Sequence, residues 1–165
     1  MEIIAGIVGA ILGALGTMIV ARLESRRTGR LKAVYDLYAR WHSSEMNYAR
    51  IRAHHVFHSE QQNRVPKSYW QINESLWAGG REDDWIAIQL VIHYFESCGE
   101  LLEEGAIDRS LFQRMMGRYA SYWIDRYIHP LWFRSLEPDD GAELGWYTKI
   151  ACLRENLGPG VPLKA

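Results

Sequence analysis

Two short spacings in this chain could do chemistry. His54 and His58 stand four residues apart with His55 between them. On a helix the outer two share a face, and two imidazoles so placed can hold a metal ion. A site needs further ligands, and His42 and Glu45 lie about three turns away on the same helix, out of reach. The HExxH order is missing, so a polar, partly exposed helix face is expected here. His93 and Glu96 are three apart in an apolar stretch, with Glu100 a turn later. Carboxylate-bridged di-iron bundles use Glu-x-x-His on two helices plus two more glutamates. Here the order is reversed and the motif occurs once. The expectation is structural: His93 and Glu96 as buried polar residues, with Glu96 hydrogen-bonded across a bundle to Arg118, Tyr122 or Arg126.

Other chemistries lack their residues. No GxSxG occurs, and Cys98 and Cys152 have neither CxxC spacing nor a paired histidine motif. Gly79-Gly80 lacks the GK[ST] context of a phosphate loop. The reading is therefore a non-enzyme, with no catalytic residue, metal or cofactor expected. The two cysteines suit a reducing compartment as small buried hydrophobes.

The strongest pattern lies at the start. Ile3 to Ala21, IIAGIVGAILGALGTMIVA, carries no charge. As a helix it is about 28 Å long, close to the roughly 30 Å of a bilayer core. A basic flank follows at once: Arg22, Arg26, Arg27, Arg30 and Lys32. A signal peptide has its charge before a shorter apolar run. This order instead predicts a single transmembrane anchor over residues 1–21 and a basic juxtamembrane segment over 22–32. The arginine excess marks the cytoplasmic side. The expected location is an inner membrane, with the N-terminus outside and the body in the cytoplasm. The basic residues would also meet lipid headgroups, each worth on the order of 1 kcal/mol against an anionic leaflet.

The anchor is rich in small residues. Ala5, Gly9, Gly13 and Thr17 recur every fourth position, and Gly6, Ala10 and Ala14 form a second stripe beside them. Small stripes let helix backbones approach closely, and packing then drives association within lipid. A helix–helix contact is expected, with a second copy or with another membrane protein.

The remainder is one domain of about 140 residues. Seven Trp and nine Tyr in the chain provide ample core area. From Tyr35 onward acids outnumber Lys and Arg, which argues against a nucleic-acid partner. No alternating β-branched run appears, so the class is all-α. The anchor runs on into a long cytoplasmic helix that breaks near Ser43-Ser44 and ends at Val65-Pro66. A short helix from Lys67 to Trp77 and a loop at Ala78-Gly79-Gly80 follow. Asp83 or Asp84 then caps a helix apolar almost all round, the centre of a bundle. Gly105 stops it, and Asp108 caps the next helix, which runs to Ile128. Pro130 kinks or restarts the chain. Pro138 to Gly141 is a turn, and a last helix spans 142–156. The domains expected are thus the anchor, the basic segment, a helical domain over 33–157 and an irregular tail over 158–165.

The run IHYFESCGELLEEGAIDRSLFQRMMGRYASYWIDRYIHPLW resembles the core signature of a bacterial family of short, single-span, membrane-anchored helical proteins catalogued as a domain of unknown function. The matching positions are Tyr94-Phe95-Glu96, Gly99, Gly105-Ala106-Ile107-Asp108, Trp123 and Pro130. LGWYTKIACLREN resembles its closing helix. The resemblance implies the anchored helical architecture and no established activity, with some relatives suspected in stress or phage defence. Together these readings predict an interaction or assembly protein. The rivals are an accessory subunit of a larger membrane complex and a membrane-disrupting effector.

Overall fold

A computed structural model describes residues 2–63, 67–131 and 145–157, with side chains from residue 18 onward apart from 19, 145 and 146. All regular structure in them is helical. Helix α1 spans Glu2–Trp41, α2 Ser44–Gln62, α3 Tyr69–Ala78, α4 Glu82–Glu103 and α5 Arg109–Trp123. A π-helical turn, Ile124–Ile128, extends α5, and α6 spans Gly145–Leu157. Among the described residues no helix is long and apolar enough to cross a membrane. The anchor predicted over residues 1–21 falls mainly on residues whose side chains lie outside that description. Residues 64–66, the turn at 138–141 and the tail 158–165 lie outside it altogether.

Local chemistry places the helix ends. Ser43 is extended and its Oγ accepts from the Met46 amide at 3.2 Å, so the chain turns here and α2 begins. Ser68 and Gln71 cap α3 reciprocally, which moves its start beyond the Lys67 expected from sequence. Asp108 caps α5 through Leu111 N at 2.8 Å. Gly105 takes φ +64°, and the Ala106 amide reaches back to Leu101 O at 2.8 Å. That left-handed closure ends α4 and suits a residue without Cβ. Neither Asp83 nor Asp84 is the α4 cap. Arg81 occupies that position without a side-chain capping bond, and the two aspartates lie inside the first turn.

Helix α4 is the central element, packed on α2 on one side and α6 on the other. Its Ile88, Val91, Ile92, Phe95 and Cys98 are fully or almost fully buried, while Ile86 stays exposed. The apolar surface is therefore a broad stripe rather than a full circumference. At Gly99 the two backbones nearly touch: an added Cβ would lie 2.7 Å from the Lys149 carbonyl carbon of α6 and closer still to its oxygen. Ile150 and Leu153 of α6 are fully buried in the same seam. A Lys149–Glu103 ion pair and an Arg154–Asp125 pair at 2.6 Å border it.

Among the described side chains of α1, those near its end enter the body. Val34 is the first buried one, followed by Leu37 and Trp41. Tyr94 of α4 donates to Leu37 O at 2.9 Å, and Trp41 packs against Tyr94 and Phe95 at ring separations of 4.9 and 5.1 Å.

Candidate functional site

The stretch of α1 ahead of the body is bare. Every residue from Val20 to Arg30 is exposed, including the apolar Val20 and Leu23, and Met18 is 69 % exposed. Arg22, Arg26, Arg27, Arg30 and Lys32 are all exposed and pair with no acid among the described residues, and the Arg30 guanidinium reaches the neighbourhood of Gly105. Arg22, Arg26 and Arg30 follow at four-residue spacing and share one face. Such a stem can meet anionic groups from any side at low desolvation cost. Ala5, Gly6, Gly9, Ala10, Gly13, Ala14 and Thr17 are on the helical backbone of α1, but their side chains lie outside the described residues.

The histidines of α2 gather against the π-helical turn. Pro130 has no N–H to offer the carbonyl four residues back, and its ring crowds that position. The helix widens: the His129 amide bonds Ile124 O, and Gln61 Nε2 takes the Arg126 carbonyl at 2.7 Å. So Pro130 neither breaks the helix nor restarts it. The wider winding brings the Tyr122 and Tyr127 hydroxyls within 3.1 Å. His54 stands edge-on to Tyr127 and stacks on His58, with the His58 ring bonded to Gln62 at 3.0 Å. Burial, then the neighbouring His58, His55 and Arg126, holds the His54 imidazole below its ordinary pKa. Arg126 lies over both tyrosine rings, at 5.8 and 5.9 Å. The Arg126 charge opposes a bound cation here, and among the described residues no three of His, Cys, Asp and Glu converge as a metal-holding group. The recess at this seam, lined by Phe57, Gln61, Ile72, Tyr127 and Leu131, measures only ≈ 10 Å³, room for a single water.

His93 and Glu96 are not buried polar residues. The His93 side chain is 62 % exposed, that of Glu96 29 %, and they pair with each other, Nδ1 to Oε2, at 2.7 Å. No bond from Glu96 crosses to Arg118, Tyr122 or Arg126; Arg126 instead serves the π-helical turn. An i, i+3 pair at the surface is worth a few tenths of a kcal/mol. Glu96→Ala should therefore cost less than about 1 kcal/mol, read as an almost unchanged thermal midpoint.

Among the described residues the acid that is buried is Asp84, 8 % exposed. Arg52 Nε from α2 approaches Oδ1 at 2.6 Å, and Arg81 Nη2 approaches Oδ2 at 2.6 Å. Burial alone would raise the Asp84 carboxyl; the two guanidinium bonds overcome it and hold the carboxyl below the ordinary range. This clamp ties α2 to the start of α4. Cys98 is buried and its thiol is pushed up to about 12 by that burial, so it stays protonated and unreactive at neutral pH. Both Cys98 and Cys152 are free thiols.

Comparison with known proteins adds one finding. The pattern of the family described as Domain of unknown function (DUF4760) matches residues 2–128, more than three quarters of the chain. No curated protein and no solved structure matches it.

Proposed function

The chain belongs to the DUF4760 family, and from that premise we propose that it is a membrane-anchored, non-enzymatic interaction or assembly protein. The first half of α1 is its anchor and the glycine stripe its contact with a second copy or another membrane protein. One observation carries this reading: α1 is a continuous helix in which the uncharged run from Ile3 to Ala21 precedes a stem whose residues 22–30 are all exposed. Among the described side chains of α1, Val34 is the first that is buried. A bilayer is the medium that would take so long an uncharged stretch. The five basic residues then lie at the headgroups and set the body on the cytoplasmic side.

Two measurements test it. Full-length protein should sediment with membranes and require detergent for release, whereas the chain lacking residues 1–21 should remain in the supernatant. Full-length protein found in the supernatant would sink the anchor. For the stripe, Gly9→Ile with Gly13→Ile should keep insertion and weaken crosslinking in membranes by about 1–3 kcal/mol, since bulky side chains hold backbones apart. Equal crosslinking would leave the anchor as a tether only.

A further inference from the structure

At the far end of α1 two buried donors lack acceptors. Trp41 is 0 % exposed, and its Nε1–H bonds to nothing. The Arg50 guanidinium lies over its ring, Cζ 4.5 Å from the centroid, and the Arg50 Nε–H is likewise buried and unbonded. Arg50 gives one Nη2 bond to Asn47 Oδ1 at 2.9 Å and forms no ion pair among the described residues. Buried donors are almost always satisfied, and a partly buried cation is ordinarily paired with an anion. Both orphaned groups are donors, and the one charge between them is positive. The missing partner is thus an acceptor, and an anionic one is favoured.

We propose that the Trp41–Arg50 corner, where α1 turns into α2, is a binding site for a soluble oxyanion, the carboxylate or phosphate group of a small molecule. The indole N–H and the guanidinium Nε–H would each donate to its oxygens, and the Arg50 charge would balance it. The Tyr119 ring packs 6.1 Å from that of Trp41 and borders the corner. Burial holds the Arg50 guanidinium below the ordinary arginine value, against the opposing influence of Tyr119 and Tyr94. A lipid headgroup is a poor candidate. Trp41 stands about 30 Å along the helix axis from Ala21, where the uncharged run ends. The proposal does not rest on the anchor.

The test is an NMR titration of ¹⁵N-labelled full-length protein in neutral detergent with inorganic phosphate, then acetate, at constant ionic strength. The Trp41 indole and Arg50 Nε–H signals should move together and saturate, while those of Arg22, Arg26 and Arg30 drift without saturating. Arg50→Lys keeps the charge but loses the planar donor, and should raise the midpoint tenfold or more. Trp41→Phe should weaken it severalfold. Should either variant fail to fold, the paired movement in the wild type decides. Phosphatidylglycerol vesicles in place of phosphate should leave both signals in place. Three results overturn the site: a Trp41 signal unmoved at tens of millimolar phosphate, movement of all arginines alike, or movement with vesicles alone.

Discussion

Replacing Gly99 with valine should leave the body largely unfolded. The Cβ of any residue there would overlap the Lys149 carbonyl, a backbone group of the facing helix that has no rotamer to move to. α6 must then slide or lift, and with it the fully buried Ile150 and Leu153. Overpacking usually costs about 1–3 kcal/mol, and more where the obstacle is backbone. Alanine regains about 1 kcal/mol of helix propensity, so Gly99→Ala should lose roughly 2 kcal/mol net. The two γ-methyls of valine should carry the loss beyond about 4 kcal/mol, a large share of a typical domain's stability. Thermal melts of both variants check this. Midpoints equal to wild type would mean that α6 is not seated on Gly99.

The second large effect is expected at Asp84. Removing the carboxylate leaves Arg52 and Arg81 facing each other in a partly buried corner. Breaking a buried pair costs about 3–5 kcal/mol, and the greater exposure of Arg81 argues for the lower end or slightly below. Asp84→Ala should therefore destabilise by roughly 2–3 kcal/mol, and Asp84→Asn, which keeps the shape and one acceptor, by less. The pH dependence follows in sign. The folded carboxyl has the lower pKa, so its contribution is present above the ordinary aspartate value of 3.8 and fades as pH falls through the folded value. The difference between wild type and Asp84→Ala should accordingly shrink below about pH 4 in denaturant titrations. A difference that stays constant down to pH 2 would show that the arginine clamp adds nothing.

Much of this fold was legible from residue types alone. The break at Ser43, the stop at Gly105 and the start at Asp108 follow from capping chemistry, which acts over three or four residues. Asp84 reads as a cap rather than a buried acid for a traceable reason. Asp84 stands four residues before Ile88 and seven before Val91, on the buried stripe of α4. Its place just ahead of a helical pattern makes it look like a cap. Glu96 sits beside Phe95 in the apolar run, yet one residue of helix rotation turns it away from the core. Which acid is paired depends on Arg52, thirty-two residues distant from Asp84, and no local pattern carries that. Pro130 was visible as a disturbance. Its resolution as a π-helical turn depends on Gln61 reaching across from α2. The orphaned donors of Trp41 and Arg50 were likewise invisible, because both residues read as ordinary members of long helices.

The family pattern closes at residue 128, while α6, which fills the other side of α4, begins at Gly145. The matched segment therefore stops short of the helix that covers α4. A chain carrying the matched segment alone would bring Gly99 to the surface and present a smooth furrow, with Cys98 alongside. During translation the first five helices emerge before their cover, so the furrow is open for the time the ribosome needs to add α6.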